Sequence, residues 1–429
     1  MLLPKQFACG LRPAMGGIIL LTLLVSVAYY LYNTSWQAVV SLRTGSSSSS
    51  WWPHRLTSLG EPHDSTPGRK PPGIGVSGLV FYGRRDRAAC LRCYLDRNLV
   101  DNGGWLEEVL FLVNTDDEKD LEYLEEIIAS NPQRYKKLIV PGEKLWIYSL
   151  YKAWQRLERG RYYVKVDDDI VWIADDAIPR IVSRKMQHPH DFAVSANIIN
   201  NPPLGFMHHH LGALHPYFPD IKAPKDDENN NKNSDSNSGN KKTSGDANLA
   251  SWRPSRDPPW DGPSDYTWPL DRAPPHKNHR WLRVRNETMM GQTPAASLTY
   301  EVWGPSYESW AIAAQMHYSL LENMEGGDDG LDAYKFHPPW DMGGERIRIN
   351  LICVYGDDIL DTNPANWTEG RSDEDMLAID LPKRLRRPVI VVGEALAAHY
   401  QYGDQRNLSD TDVLARYQSL AKDRACLSK

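Results

Sequence analysis

The chain has 429 residues, of which 49 are Lys or Arg and 55 are Asp or Glu, so its formal net charge is −6. This mild acidic excess excludes a broad basic surface of the kind that binds nucleic acid. The length suffices for one enzyme-sized domain with additional segments, and a hydrophobic content of 41% suits a globular core.

The N-terminal segment predicts a membrane anchor. Residues 13–42 contain no charged side chain, and the stretch GGIILLTLLVSVAYYLY is their apolar centre. A membrane span needs about 20 apolar residues. Lys5 and Arg12 precede this stretch, so the positive-inside rule places residues 1–12 in the cytoplasm. We therefore expect a retained signal-anchor transmembrane helix, a single-pass type II orientation and a lumenal remainder.

Cysteines and glycosylation sequons fit a lumenal location. The cysteines that follow the anchor are Cys90, Cys93, Cys353 and Cys426. Their even number predicts disulfides in an oxidising compartment, with three possible connectivities. The first two could instead form a redox motif. Asn-x-Ser/Thr sequons begin at four positions, which are Asn33, Asn286, Asn366 and Asn407.

Composition divides the remainder into a stem, a domain and an insertion. Residues 43–76 are rich in Ser, Pro and Gly without periodicity, which indicates a flexible stem. We expect one lumenal domain over residues 77–429. Within it, the polar stretch KAPKDDENNNKNSDSNSGNKKTSGD and its Pro-rich continuation predict a disordered insertion at about 222–277.

Strand and helix patterns alternate through this domain. The strand-like segments are GLVFYG (78–83), EVLFLVN (108–114), KKLIV (136–140), YYVKV (162–166), DFAVSANII (191–199), RIRINLICVYGDDI (346–359) and the start of RRPVIVVGEALAAHY (386–400). The helical segments are 84–100, 118–130, 143–160, 307–324 and 408–426. This alternation predicts an α/β fold with a mostly parallel sheet flanked by helices.

An aspartate triplet interrupts the apolar stretch RYYVKVDDDIVWI (161–173). Alternate side chains of an extended chain share a face, so Asp167 and Asp169 should point together and Asp168 away. Two carboxylates on one face favour a divalent cation, and Mg²⁺ or Mn²⁺ would also bind a substrate diphosphate. A solvated loop, a helix N-cap and a structural Ca²⁺ site are the alternatives.

This stretch resembles the Asp-x-Asp motif of type II membrane glycosyltransferases with the GT-A fold. The Lys-x-Asp-Asp-Asp pattern with an apolar tail is similar to that of the β1,3-galactosyltransferase-like group. The likeness covers about residues 77–200 and the anchor–stem layout. The lumenal chain also resembles uncharacterised filamentous-fungal type II proteins. The Glu-Asp-Val-x-x-Gly segment of the galactosyltransferases is absent downstream, and GDDIL (356–360) is the nearest stretch.

The resemblance implies a GT-A-like (Rossmann-like) fold and a set of site residues. It implies Asp169 as the main metal ligand, Asp167 on the metal or the donor ribose, and Asp168 in the donor site. The nucleotide would lie at the ends of the first two strands, at Tyr82, Gly83, Arg84, Arg85, Asn114, Thr115 and Asp116. His399 is the candidate late metal ligand, and Asp357 or Asp358 the candidate acceptor-activating base.

The expected function is therefore that of a metal-dependent glycosyltransferase of the Golgi membrane, with the endoplasmic reticulum as a second location. Its cofactor would be Mn²⁺ or Mg²⁺, its donor a UDP- or GDP-linked sugar, and its acceptor a glycan or glycoprotein. A lumenal phosphoryl or phosphosugar transferase and an inactive lumenal binding protein remain open alternatives. Two further alternatives also remain open. His208–His210 could form a zinc site, and the arginines at 84, 85 and 87 could simply solvate the first helix without binding a diphosphate.

Overall fold

The computed structural model describes residues 68–140, 147–222 and 251–426. The strands in these ranges are β1 (Gly75–Tyr82), β2 (Glu108–Val113), β3 (Tyr135–Leu138), β4 (Arg161–Asp167), β5 (Ile170–Ile173), β6 (Ala193–Ile199), β7 (Tyr217–Pro219), β8 (Trp281–Arg283), β9 (Trp340–Asp341), β10 (Leu351–Tyr355) and β11 (Val389–His399).

Six longer helices accompany these strands in the described ranges: α1 (Arg85–Asn98), α2 (Glu118–Ser130), α3 (Ala177–Gln187), α4 (Pro202–His210), α5 (Trp310–Glu325) and α6 (Val413–Arg424). Shorter helical turns are Val100–Asn102, Ile147–Ser149, Tyr151–Trp154, Pro254–Arg256, Glu287–Gln292, Pro294–Ser297, Pro305–Glu308, Asp328–Leu331, Asp332–Tyr334, Gly356–Leu360, Pro364–Asn366, Asp373–Asp375, Met376–Asp380, Leu381–Leu385 and Gly403–Asp410.

Local sequence explains the best-defined elements. β1 is buried along most of its length and carries the continuous apolar run that a central strand needs. Asp117 caps α2 by accepting a hydrogen bond from the Asp120 backbone N–H. Leu124 and Ile127, three positions apart, are the apolar side chains that α2 buries. α5 is buried almost all round, so it forms part of the core.

The main sheet combines parallel and antiparallel strands. Its order is β3-β2-β1-β4-β10-β6-β11-β5, with β9 paired to β11. β1 is parallel to β2 and β4, β2 to β3, and β6 to β11. β10 is antiparallel to both β4 and β6, and β11 is antiparallel to β5 and β9. The α/β class expected from the sequence is confirmed. Half of these strand pairings are antiparallel, however, so the expectation of a mostly parallel sheet was wrong.

One edge of the sheet collects the chain segments that matter for function. β1, β4, β6 and β11 all end there, and we call it the carboxyl edge. Because β10 and β5 run against their neighbours, their first residues lie at the same edge. In open α/β sheets, ligands bind outside the carboxyl ends of the strands. The segments on both sides of the aspartate triplet therefore meet where a ligand site is expected.

Two secondary-structure expectations fail. Within the described part of the helix expected over 143–160, the chain forms the short helical turns Ile147–Ser149 and Tyr151–Trp154, and a left-handed residue at Gly160 (φ 76°) then leads into β4. Trp154 is buried and donates from Nε1 to Asp373 (3.1 Å), so its packing outweighs the helical pattern. The strand expected over 346–359 is confined to β10, and Gly356–Leu360 forms a helical turn.

Part of the predicted disordered insertion has a defined structure. Residues 223–250 lie outside the described ranges, but residues 251–277 have a defined path. Trp252 and Trp268 are buried in the hydrophobic core. Burial of these two rings offsets the high Pro and Asp content of this stretch, so the expectation of disorder does not hold for 251–277. No described helix is both long and apolar enough to cross a membrane, and the predicted anchor at 13–42 lies outside the described residues.

One disulfide joins the two ends of the described domain. Cys93 in α1 is bonded to Cys426, just after α6. Cys90 and Cys353 are buried and unbonded, and burial raises the pKa of each thiol to about 12. Cys90 and Cys93 do not form a redox pair in this structure, because Cys93 is bonded to Cys426 and Cys90 is a buried free thiol.

Candidate metal and donor site

The aspartate triplet lies in a tight turn at the carboxyl edge. β4 ends at Asp167, the turn contains Asp168 and Asp169, and β5 begins at Ile170. Strict strand alternation therefore stops at Asp167. As a result Asp168 and Asp169 share a cationic partner, whereas Asp167 has partners of its own. Asp167 nevertheless interacts electrostatically with Asp169 and with His399, so the two aspartates remain neighbours although their hydrogen-bond partners differ.

Asp168 binds the segment that follows β1. The backbone N–H of Gly83 donates to Asp168 Oδ2 (2.7 Å), and Arg84 Nε donates to Oδ1 (3.0 Å). Arg84 Nη2 also contacts this carboxylate. The parallel pairing of β1 and β4 produces the contact, because it places their last residues side by side.

Asp169 lies at the centre of a cluster of basic groups. Its Oδ2 atom accepts from Arg84 Nη2 (2.9 Å) and lies 3.5 Å from Arg87 Nη1 and 3.3 Å from His399 Nε2. The Tyr400 backbone N–H donates to the Asp169 carbonyl (2.8 Å), which fixes the turn against the end of β11. The antiparallel pairing of β11 with β5 sets His399 opposite Ile170. The structure thus brings His399 to the triplet.

Asp167 faces a different set of partners. Lys165 Nζ forms an ion pair with Asp167 Oδ1, and Asn350 Nδ2 donates to Oδ2 (3.0 Å). Asn350 also accepts from the hydroxyl of Tyr402 (3.3 Å), whose ring stacks on His399 with centroids 4.3 Å apart. The segment before β10 and the segment after β11 are therefore both tied to the triplet.

Burial and the neighbouring basic groups together set the pKa values of Asp168 and Asp169. Burial acts to raise the pKa of Asp169, but His399 and Arg84 outweigh it and hold that pKa well below its usual value. Burial raises the pKa of Asp168 to about 6, although Arg84 opposes the shift. Asp169 is thus a carboxylate at neutral pH, the form that a metal ion requires.

The residues present fit a divalent cation. Asp169 Oδ1 is buried and has no hydrogen-bond partner, so one oxygen of this ionised group is available as a ligand. The 3.3 Å between Asp169 Oδ2 and His399 Nε2 matches the roughly 3 Å between neighbouring ligands of an octahedral ion with bonds of about 2.1 Å. Arg84 now contacts the same carboxylate, so an ion would compete with this guanidinium.

The protein alone supplies few ligands for such an ion. Across residues 68–140, 147–222 and 251–426, no group of three or more His, Cys, Asp and Glu side chains is placed to hold a metal. His208–His210, considered from the sequence as a zinc site, belong to no such group. Mg²⁺ is usually bound through one or two carboxylates together with substrate phosphates and water. The geometry at Asp169 and His399 has that open character.

Two of the expected nucleotide residues face away from the triplet. Tyr82 is fully buried, and its hydroxyl donates to the Asp120 carbonyl (2.6 Å). Arg85 binds the start of α2, through Asp117 (3.1 Å) and Asp120 (2.9 Å). Neither contacts the triplet because consecutive residues at the end of β1 point in different directions. Tyr82 is therefore a core residue, and Arg85 ties α1 to α2.

Asn114 and Asp116 lie in the loop between β2 and α2, beside the end of β1. The Asn114 N–H donates to the Tyr82 carbonyl (2.9 Å), and its Oδ1 atom is buried without a hydrogen-bond partner. The two residues are at the same edge of the sheet as Gly83. This placement is compatible with the expected nucleotide side of the site.

The expected acceptor-activating bases lie at the wrong end of the sheet. β10 is antiparallel to β4, with Leu351 opposite Val166 and Tyr355 opposite Tyr162. The four residue steps from Leu351 to Tyr355 place the two ends of β10 roughly 13 Å apart. Asp357 accepts from the Gly160 N–H (2.6 Å), and Asp358 pairs with Lys185 (2.7 Å). Both residues are therefore removed from the candidate site.

Arg348, Asn350 and Tyr402 were not identified from the sequence. The first two occupy alternate positions of RIRIN (346–350), immediately before β10, and Tyr402 follows β11. The sequence pattern does not reveal the direction of β10. Because β10 is antiparallel to β4, its first residues, and not its last, lie at the carboxyl edge.

A cleft of about 520 Å³, lined in part by Trp172, Asp175 and Arg424, lies at the other end of β5.

No protein-family profile and no curated protein matches the chain. Solved structures resemble parts of it. Glucosyl-3-phosphoglycerate synthase from Mycobacterium tuberculosis is 13% identical over 29% of this chain and 45% of its own, with a TM-score of 0.23. A mannosyltransferase from Pyrobaculum calidifontis, in complex with GDP-Man and Mn²⁺, is 21% identical over 32% and 39%, with a TM-score of 0.24.

A longer match is GalNAc-T7 with UDP, GalNAc and Mn²⁺. It covers 77% of this chain and 44% of its own at 9% identity, with a TM-score of 0.36. This chain thus spans less than half of each of these three structures. All three scores are low, so the likenesses are partial, and the candidate site rests on its own geometry.

Proposed function

We propose that this protein is a metal-dependent glycosyltransferase that moves a sugar from a UDP- or GDP-linked donor to a glycan or glycoprotein acceptor. The observation that supports this most is the cluster of Asp168, Asp169 and His399 at the carboxyl edge, with Arg84 and Arg87 beside it. A diphosphate carries the charge that these two arginines bind well.

Each group has a definite task in this proposal. Asp169 and His399 would hold Mn²⁺ or Mg²⁺, which supplies neutralising charge to the departing diphosphate. Asp168 fixes the Gly83 N–H and the Arg84 guanidinium at the end of β1. Arg84 is 45% exposed on its side chain and can turn from the carboxylates to a phosphate. Arg87 is nearly buried and stays beside Asp169.

The compartment belongs to the same proposal. We place the protein in the Golgi membrane, or the endoplasmic reticulum, as a single-pass type II protein. The disulfide between Cys93 and Cys426 and the exposed sequons at Asn286 and Asn366 support an oxidising lumen. A shift in electrophoretic mobility after enzymatic removal of N-glycans would test it, and an unshifted band from the native host would count against it.

The activity test uses the purified full-length chain with a panel of UDP- and GDP-sugars. Donor hydrolysis is measured with Mn²⁺, with Mg²⁺ and with EDTA. We expect metal-dependent hydrolysis of at least one donor. Binding of nucleotide and metal without turnover would favour an inactive binding protein. Phosphosugar transfer to an acceptor, with release of nucleoside monophosphate, would favour the phosphosugar transferase.

A further inference from the structure

A buried arginine beside the candidate site has an unused hydrogen-bonding edge. Arg348 is 6% exposed, and its Nη1 donates to Glu374 (2.8 Å). Its Nε and Nη2 atoms are buried and have no hydrogen-bond partner. Leaving buried donors unpaired is unfavourable, and more so in a charged group. Nε and Nη2 form the two-pronged edge that matches a carboxylate or a phosphate.

Aromatic rings surround this guanidinium. Its central carbon lies 3.9 Å from the Trp303 ring centroid, 4.4 Å from that of Tyr307 and 5.4 Å from that of Tyr402. Trp303 is 56% exposed, the most exposed of these three rings. Because more than half of Trp303 is exposed, its flat ring offers a surface beside Arg348 on which a sugar ring can stack.

The position of Arg348 indicates which substrate it meets. Asn350, two residues further along the same extended segment, donates to Asp167 (3.0 Å) and accepts from Tyr402 (3.3 Å). The sheet order places β1 and β2 on one side of β4, and β10, β6 and β11 on the other. A nucleotide over β1 and β2 would leave the β10 side of the triplet for the second substrate.

We propose that Arg348 and Trp303 form an acceptor subsite for an acidic sugar, with the carboxylate or phosphate of the acceptor on Nε and Nη2 of Arg348 and its ring against Trp303. The inference rests on the proposed function for the identity of the second substrate. An oxyanion could also come from the donor diphosphate, so the test must separate these two sources.

Isothermal titration calorimetry of the full-length chain distinguishes an oxyanion of the acceptor from one of the donor diphosphate. The probes are methyl glucuronide, glucose 6-phosphate, the neutral methyl glucoside, and UDP with Mn²⁺. We expect at least one acidic sugar to bind about tenfold or more tightly than methyl glucoside, because a charge-assisted pair contributes about that much. Equal binding of acidic and neutral sugars would overturn the inference.

Three variants assign the residues. Arg348→Lys keeps the charge but loses the two-pronged edge, so the acidic preference should disappear while UDP binding stays unchanged. Trp303→Ala should weaken every sugar and leave UDP unchanged. Arg371→Lys is the matched control, because the same edge of Arg371 already binds Asp380 (2.7 and 2.8 Å). Loss of UDP affinity in Arg348→Lys would assign the oxyanion to the donor and overturn the acceptor subsite.

Folding and the proposed function are controlled separately. If thermal unfolding shows that Arg348→Lys does not fold, the wild-type preference and the exposed Trp303→Ala variant decide the inference. Donor hydrolysis with Mn²⁺ is measured on the same wild-type sample. Donor turnover without an acidic preference overturns this inference alone, whereas an acidic preference without any donor turnover supports the subsite and contradicts the glycosyltransferase.

Discussion

Asp169 Oδ2 and His399 Nε2 lie 3.3 Å apart, although the two residues are far apart in the sequence. The antiparallel pairing of β5 with β11 and the hydrogen bond from the Tyr400 N–H to the Asp169 carbonyl hold them together. The contact thus depends on the backbone of the sheet, so it is present before any substrate binds.

Arg84 should compete with the metal ion. Arg84→Ala removes a guanidinium that binds Asp168 and Asp169, and we expect Mn²⁺ to bind about tenfold more tightly in the absence of nucleotide, because a charge-assisted hydrogen bond contributes about 1.5–3 kcal/mol. Thermal unfolding with increasing Mn²⁺ measures this affinity. Arg85→Ala is the control, since Arg85 faces Asp117 and Asp120. An equal response in both variants would contradict the competition.

Asp358 should matter for stability and not for catalysis. Its carboxylate pairs with Lys185, which is 1% exposed on its side chain, and with Arg387. Asp358→Asn leaves a buried ammonium without its counter-ion, which costs about 3 kcal/mol. Urea unfolding measures the loss, and kcat for donor hydrolysis should be unchanged. A folded variant whose kcat falls a hundredfold would restore Asp358 as a catalytic candidate. Asp357→Asn is the comparison, because Asp357 pairs with the exposed Arg159 and not with a buried cation.

His208 should make the fold sensitive to acid. Burial lowers the pKa of His208 to about 3, and its Nε2 atom lies 2.7 Å from Asn197 Oδ1. The unfolded chain takes up this proton near pH 6.5, so stability is lost as pH falls from about 6.5 toward 3. Between pH 7 and pH 4.5 the loss is about 2–3 kcal/mol.

The comparison for this prediction is His208→Gln, which cannot take up the proton. Urea unfolding at the two pH values should show a smaller loss of stability in the variant by that amount. The variant is expected to be less stable at pH 7, so the difference between the two pH values is the relevant quantity. If the wild type and the variant lose the same unfolding free energy between the two pH values, His208 is not buried in its neutral form.

Sequence patterns located one half of the candidate site. The apolar run before the triplet predicted a strand that ends there, and β1 also ends where its pattern indicates. β5 was not predicted, and β11 extends to His399, beyond the strand expected at the start of 386–400. The resemblance to GT-A glycosyltransferases, applied to these strand ends, named Gly83, Arg84 and His399 in advance. Polar residues just after a buried strand were the usable signal.

The other half depended on strand direction, which no local pattern reports. β10 has the same apolar composition in either direction, yet its antiparallel pairing with β4 puts Asn350 at the triplet and Asp357 at the opposite edge. The turn after Asp167 likewise broke the expected alternation of the triplet. Trp303 and Arg348 are brought together by tertiary packing alone, so nothing in their sequence neighbourhood indicates the contact.

The central claim is that Asp169 and His399 form a metal site that a nucleotide diphosphate completes. Electron paramagnetic resonance of free Mn²⁺ tests this most directly, with the full-length chain titrated with and without UDP or GDP. The account predicts at least tenfold tighter Mn²⁺ binding with nucleotide, lost in Asp169→Asn and weakened in His399→Ala. Mn²⁺ binding that ignores both the nucleotide and the Asp169→Asn substitution in a folded protein would contradict it.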